Sequence, residues 1–200
     1  ATFAAVFFAA VFFAVAFFAV VFFAVMARSI SCHGTDARHG LGGGGACGST
    51  LNNGILSGNS AAFGGGAFGG TLNNCTLSGN SAGSDGGGVH SSTLKNCTLA
   101  GNSAGNLGGG TSGGTLNNCI VYFNSAASDV NYFGGTYAYS CTTPLPGGTG
   151  NTDADPLFEN RLAGNIRLAP ASPCRDTGNN AAAGGAADLD GNPRIVNSTV

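Results

Sequence analysis

The chain has 200 residues, a formal net charge of −2, only 8% charged residues and 36 glycines. This length is enough for one domain with a substantial core, and the weak charge excludes the electrostatic footprint expected of a protein that binds nucleic acid or anionic lipid. So few charges also require a heavily hydrogen-bonded backbone, because Asp85, Lys95 and Asp129 are the only charged residues between Leu41 and Ser140.

The first segment, residues 1–26, is apolar except for Thr2, and Phe-Phe pairs recur in it every five residues. Its length suffices to cross a bilayer as a helix, and a five-residue period distributes the pairs around the helix instead of forming a stripe. Val-Met-Ala at residues 25–27 is similar to a signal-peptide cleavage site. We therefore expect residues 1–27 to be an apolar helical signal or anchor segment, with spurious translation upstream of Met26 as the alternative.

An internal repeat of 21–22 residues follows from about residue 40 and outweighs every other signal. Each unit contains a Thr-Leu pair, a short apolar run, an Asn-containing turn and, in most units, a Gly triplet. The Thr-Leu pairs begin at Thr50, Thr71, Thr93 and Thr115. The unit is too short for helix-pair repeats and rich in residues that disfavour helices, so it predicts a β-solenoid whose coils stack strand on strand.

Equivalent residues of successive coils are expected to stack about 4.8 Å apart along the solenoid axis. The predicted inward columns are Leu51/Leu72/Leu94/Leu116 and Leu56/Leu77/Leu99/Val121. The column Ile55/Thr76/Thr98/Ile120 is predicted to point outward. Cys75, Cys97 and Cys119 share the inward side, and we interpret them as small buried hydrophobic residues because parallel side chains make poor disulfides.

A column of asparagines is predicted at a turn of the coil, and it comprises Asn59, Asn80, Asn102 and Asn124. Stacked amides can hydrogen-bond along the axis, and Asn tolerates left-handed backbone angles. The Gly triplets are expected to supply positive φ where two strands meet. Asn74 and Asn96 match the glycan-acceptor pattern, but their repetition with the coil favours a structural role for them as well.

The composition changes at residue 142, after which all six prolines occur. Cys141 and Cys174 flank the last coil and this tail, which makes them the best disulfide candidates; Cys32 and Cys47 are a less favoured pair. Calcium is the one cofactor that the tail suggests, because Asp188, Asp190 and Asn192 alternate as in part of a calcium loop. The later bidentate Glu is missing, however, and an Asp-Gly turn is therefore the favoured interpretation.

Four motifs of the tail are similar to those of the choice-of-anchor Q group of bacterial surface β-helix proteins: SCTTPLP, ADPLF, IRLAPASPCRDTG and DLDGNPRIV. The coils resemble the pectate-lyase-like superfamily and the Gly-Gly-Gly and Asn-Ser-Ala coils of polymorphic outer-membrane proteins. The resemblance covers roughly residues 40–200. It implies an all-β, right-handed parallel β-helix of about five coils, exported to the extracellular medium or the outer-membrane surface. Coils would occupy residues 28–141 and the tail residues 142–200, with the end of the domain, and any anchor, expected beyond Val200.

Carbohydrate-cleaving β-helix enzymes need acidic residues clustered on adjacent coils, either around calcium or as an acid/base pair. Asp85 and Asp129 lie two coils apart at different offsets, and Lys95 has no acidic column beside it. His90 occupies the position that Phe68 holds one coil earlier, which favours a variable outer residue. We therefore assign no catalytic, cofactor-binding or metal-binding residue.

The sequence instead favours a non-catalytic, adhesin-like or structural surface protein that displays a polar face to a glycan or a protein partner. A fragment of a polysaccharide lyase or glycoside hydrolase is the alternative. Membrane contact is expected only through residues 1–26. Solenoid ends without polar caps would permit self-association edge to edge.

Overall fold

The computed structural model describes residues 42–183, and within this range the chain is a parallel β-solenoid of about four turns. The predicted all-β solenoid is therefore confirmed, and the expected five coils correspond to five strands stacked in each of three sheets. The predicted helical segment at residues 1–27 lies outside the described residues, as do Asp188, Asp190 and Asn192. No helix in the described range is long and apolar enough to cross a membrane.

Four parallel sheets run along the solenoid, and we number them as faces in chain order. The first face comprises β1 (Ala46–Cys47), β5 (Ala67–Phe68), β9 (Val89–His90), β13 (Thr111–Ser112) and β16 (Tyr132–Phe133). The second comprises β2 (Thr50–Asn52), β6 (Thr71–Asn73), β10 (Thr93–Lys95), β14 (Thr115–Asn117) and β17 (Thr136–Ala138). The third comprises β3 (Ile55–Ser57), β7 (Thr76–Ser78), β11 (Thr98–Ala100), β15 (Ile120–Tyr122) and β18 (Cys141–Thr142). The short fourth face comprises β4 (Ser60–Ala61), β8 (Ser81–Ala82) and β12 (Ser103–Ala104).

Most of the large core side chains are the middle residues of the three-residue strands. Because successive side chains of a strand point to opposite faces of the sheet, a Thr-Leu-Asn strand buries its Leu and exposes its flanking residues. Leu94 pairs with Leu72 on one side and Leu116 on the other, and all three are at most 1% exposed. Tyr137 continues this column below Leu116. The predicted inward columns are thus those of the structure, with Leu51 in the first coil half-buried.

The predicted asparagine column forms a hydrogen-bonded ladder inside the solenoid. Asn102 is typical of it, since its Nδ2 donates to Asn124 Oδ1 and to Leu77 O, both at 3.0 Å. The left-handed backbone expected at this column lies elsewhere. It occurs at the preceding glycines, such as Gly101, and in a separate asparagine column that comprises Asn53, Asn74, Asn96 and Asn118. The reason is geometric: the chain turns at the glycine, and this directs the next side chain into the interior.

The Gly triplets form the corner at which the chain passes from the short fourth face of one coil to the first face of the next coil. The first glycine of each triplet has positive φ, as at Gly86 with φ 70°. The second packs against backbone, because a Cβ on Gly87 would lie 2.3 Å from Ser103 O and 2.4 Å from Gly109 O. The triplets therefore serve close backbone approach as much as turn geometry.

The tail covers the C-terminal end of the solenoid. Thr152 forms a parallel bridge with Cys141 and continues the hydrogen bonding of the third face. The chain then forms an antiparallel hairpin from β19 (Phe158–Asn160) and β20 (Asn165–Leu168), joined by a 3₁₀ turn at Arg161–Ala163, and a second 3₁₀ turn follows at Asn180–Ala182. Arg161 stacks over the ring of Phe123 at 4.3 Å, so the hairpin packs against the coils.

Candidate functional site

The most regular surface of the molecule is formed by the outward residues of the second face, which we call the polar face. One column consists of threonines, and the other consists of three asparagines and a lysine. They are Thr50, Thr71, Thr93, Thr115 and Thr136, and Asn52, Asn73, Lys95 and Asn117. From the second coil onward, the central residue of each of these strands is buried, so the two columns cannot turn away from the surface without exposing the core.

The geometry of the polar face follows from that of the sheet. Successive hydroxyls lie about 4.8 Å apart along the axis, and the two columns lie about 6.7 Å apart across it. Neighbouring side chains hold one another in place: Thr136 Oγ1 donates to Thr115 Oγ1 at 3.2 Å, and Asn73 Nδ2 donates to Asn52 Oδ1 at 2.9 Å. Lys95 is exposed and carries the only charge in the strands of this face. The arrangement offers an ordered array of neutral donors and acceptors around one cation.

His90 lies on the neighbouring first face among aromatic rings. Its ring stacks on Phe68 at a centroid distance of 5.1 Å and meets Phe63 edge-on at 5.5 Å. Burial lowers the pKa of His90 below its usual value, against the opposing effect of Asp85, so the ring is neutral at pH 7. Its Nδ1 is buried with no hydrogen-bond partner. The position thus serves aromatic packing.

The three charged residues in the described coils do not converge. Asp85 Oδ1 accepts a hydrogen bond from Leu107 N at 3.1 Å and stabilises the turn between coils. Asp129 has a left-handed backbone conformation, with φ 53°. Lys95 lies on the polar face. Within residues 42–183, no group of three or more His, Cys, Asp or Glu side chains is arranged to hold a metal ion.

The thiol column runs through the core as free cysteines. Cys75, Cys97 and Cys119 are each 1% exposed, and each Sγ donates at 3.2 Å to the carbonyl oxygen two residues earlier in its own coil. The hydrogen bond to Cys97, together with burial, raises the pKa of Cys75, and burial raises the pKa of Cys97. Cys75 and Cys97 are therefore protonated structural groups and not nucleophiles.

The remaining described cysteines lie at the two ends of the solenoid. Cys47 is disulfide-bonded. Cys141 and Cys174 are free, but they line the same cavity of about 90 Å³, so the structure brings the last coil and the tail together at this pair.

Sequence reasoning missed the residues that terminate the internal ladders. Asn131 Oδ1 accepts from Asn124 N at 3.1 Å, and Asn131 Nδ2 donates to Thr143 O at 2.9 Å. Ser140 takes the place of the next cysteine, and its Oγ accepts from Cys119 N at 3.1 Å. Ser140 was detectable, since it follows Cys119 by one repeat length. Asn131 was hidden because it follows Asn124 by seven residues instead of 22.

The comparisons of the chain with protein-family models, with curated proteins and with solved structures each find no match. The parallel strand order and the one-coil register show a parallel β-solenoid fold. A narrower family assignment belongs with the functional proposal.

Proposed function

We propose that the protein is a non-catalytic surface solenoid that binds glycans through the polar face. The observation that carries this proposal is the pair of outward columns, in which threonine hydroxyls and asparagine amides repeat at the spacing of the coils. Sugar hydroxyls are donors and acceptors at once, and a fixed array of similar groups pairs with several of them together. Because the strands are already ordered, little conformational entropy is lost on binding.

The shape of the polar face suits an extended polymer better than a small substrate. Its threonine column runs through five coils and its asparagine and lysine column through four, so contacts of modest strength would add up along a chain. Lys95 at the centre of the face favours glycans that carry some acidic sugars, since it is unpaired with any acid in its own or the adjacent strands.

The location at a bacterial surface is supported by the resemblance of the tail to the choice-of-anchor Q group. Residues 142–183 in the structure close the end of the solenoid, which is a place where an anchoring segment would be attached. The predicted apolar segment at residues 1–27 would provide export. Each of these points supports the proposal independently of the polar face.

The test compares two double variants of the full-length chain on a panel of purified polysaccharides. Thr93→Val with Thr115→Val removes two hydroxyls from the polar face without changing side-chain shape. Thr76→Val with Thr98→Val does the same at paired outward positions of the third face. We expect the first variant to lose about tenfold in affinity, which corresponds to about 1.4 kcal/mol, and the second to bind like the unchanged protein.

Equal binding by both variants would assign any glycan affinity to another surface, and the absence of binding to every polysaccharide would overturn the proposal. The same incubations are assayed for unsaturated products and for new reducing ends. Turnover of any polysaccharide would favour the enzyme-fragment alternative. The valine variants are also compared by thermal melting, so that a loss of folding is not mistaken for a loss of contacts.

A further inference from the structure

The outward column of the third face ends in a covered cysteine. The column runs Ile55, Thr76, Thr98, Ile120 and Cys141. Ile55 is 54% exposed at one end, whereas Cys141 is 3% exposed at the other. The difference arises because the tail crosses the third face at the last coil. Cys141 therefore points away from the core and toward the tail.

Cys174 meets Cys141 from the tail side. The two thiols border one small cavity of about 90 Å³ together with Thr152 and Thr177. Cys141 Sγ is also 3.1 Å from Ala154 O, and Cys174 N donates to Ser172 Oγ at 3.1 Å. Cys141 is also held in its coil, because its N donates to Cys119 O at 2.8 Å, and Cys174 remains partly exposed.

We propose that Cys141 and Cys174 form a reversible redox clasp, in which oxidation by a low-molecular-weight disulfide covalently joins the tail to the last coil and reduction releases it. The clasp differs from the thiol column, whose members lie inside the solenoid and out of reach of an oxidant. It is a regulatory modification of the tail that does not depend on glycan binding by the polar face.

The environments of the two sulfurs assign their roles in the exchange. The hydrogen bond from Cys141 lowers the pKa of Cys174, with a further contribution from Ser172. The same contact with Cys174, and then burial, raises the pKa of Cys141. Cys174 is also half-buried, whereas Cys141 is only 3% exposed, so a small disulfide reaches Cys174 first. Cys174 is therefore the attacking thiolate, and Cys141 is the resolving thiol.

The reaction balances in two exchange steps. The Cys174 thiolate attacks one sulfur of the small disulfide, whose S–S bond breaks to release one small thiolate and leave a mixed disulfide on Cys174. Cys141 then gives its proton to the released small thiolate and attacks the Cys174 sulfur. This displaces the second small thiolate, which takes up the proton that Cys174 lost to the solvent on ionising. Two protein thiols are oxidised to one disulfide, and one small disulfide is reduced to two thiols.

The last described segment of the tail, residues 179–183, is held to the coils by a few side-chain contacts. Asn118 Oδ1 accepts from Asn179 N at 2.8 Å, and Asn118 Nδ2 donates to Asn179 O at 3.0 Å. Asn96 Nδ2 donates to Ala183 O one coil further along. These side-chain contacts align the segment, but they are open to solvent competition. A disulfide closing the 33-residue separation between Cys141 and Cys174 would restrict the detached states of the tail.

The experiment places the full-length chain in buffers with graded ratios of reduced glutathione and glutathione disulfide. Peptide mapping by mass spectrometry without reduction reports the cross-link, and limited proteolysis reports release of residues 158–183. We expect a Cys141–Cys174 linked peptide to appear on oxidation, cleavage of the tail to slow by about tenfold, and the thermal midpoint to rise by about 5 °C. Each change should reverse on reduction.

Two variants make the result specific. Cys174→Ser removes the clasp, so its tail should be cleaved at the fast rate in every buffer. Because this variant keeps the Cys47 disulfide, it also shows any effect that comes from reducing that bond. Cys119→Ser is the matched control, because the next coil already has a serine, Ser140, at the equivalent position. It should respond to oxidation like the unchanged chain. The proposal is overturned if Cys174 pairs with another cysteine, if both thiols remain alkylatable after oxidation, or if Cys174→Ser shows the same oxidative protection.

Discussion

At the scale of single residues, the interior of this solenoid relies on polar side chains as much as on apolar ones. The buried amides of Asn80 and Asn102 are 0% and 1% exposed, yet each of their donors and acceptors is used. Asn80 Nδ2 donates to Leu56 O and to Asn102 Oδ1, both at 2.9 Å. Since each amide satisfies both its own coil and the next, the ladder specifies the one-coil register that apolar stacking alone would leave free to slip.

Replacing Asn102 by Ala should therefore be costly for its size. The substitution leaves Asn80 Nδ2, Asn80 N and Leu77 O without their ladder partners, and each buried unsatisfied group costs about 1–3 kcal/mol. With partial relaxation we expect a loss of about 3–4 kcal/mol in the free energy of unfolding. Urea denaturation measures it. Asn52→Ala on the polar face serves as the control, and a loss below about 1 kcal/mol for Asn102→Ala would mean that water replaces the ladder.

At the scale of the coil, the decisive element is the corner built by the Gly triplet. The strands are only two or three residues long and do not fix the geometry of the corner. The packing distance between the first and fourth faces is therefore set by the glycines, which lack a Cβ. Gly65, Gly87 and Gly109 occupy equivalent places, and a Cβ on any of them would lie within 2.4 Å of a backbone oxygen. No side-chain rearrangement relieves such a contact.

Gly87→Ala tests this element against a matched glycine of the same region. We expect Gly87→Ala to lower the free energy of unfolding by about 3 kcal/mol or more, because the methyl group must displace the backbone of two coils. Gly83→Ala should leave the free energy of unfolding unchanged or raise it slightly. A Cβ on Gly83 would find only ordinary contacts at 3.9 Å, and the φ of Gly83 is not positive. Thermal unfolding of the two variants decides the point. Equal melting temperatures would show that the corner is free to expand.

The sequence predicted those elements that repeat and missed those that occur once. Leu72, Cys97 and Asn102 were assignable because a column is visible as a period, and a period of 22 residues with short β runs suits few folds. Asn131 and the tail contacts of Asn118 were not assignable, because they arise where the repeat is interrupted or where a distant segment returns. Left-handed backbone angles were expected in the column that contains Asn80 and Asn102. They occur instead in the column that contains Asn53 and Asn74, and the two columns were not distinguishable because both consist of asparagines.

At the scale of the whole molecule, the solenoid is a one-dimensional stack whose coils contact only their neighbours. Leu94 lies in the third of the five rungs of the second face, and an interruption there separates two short stacks. Each remaining stack has only two intact rungs on this face, fewer than the three repeats that such architectures need for stability. The first rung, which contains Leu51, has a coil on only one side within the described residues, so the same defect there removes less.

Leu94→Asp should consequently abolish folding of the coils on both sides. A carboxylate enclosed between Leu72 and Leu116 loses its hydration and gains no partner. Leu51→Asp places the charge at the half-buried end of the column and should loosen the first coil alone. Hydrogen exchange resolved by peptide measures both outcomes. Thr93→Asp, on the exposed side of the same strand, controls for the effect of a carboxylate in a β-strand. Wild-type protection in Leu94→Asp would show that the coils do not depend on a continuous central column, and loss of protection in all coils of Leu51→Asp would show that they fold as one inseparable unit.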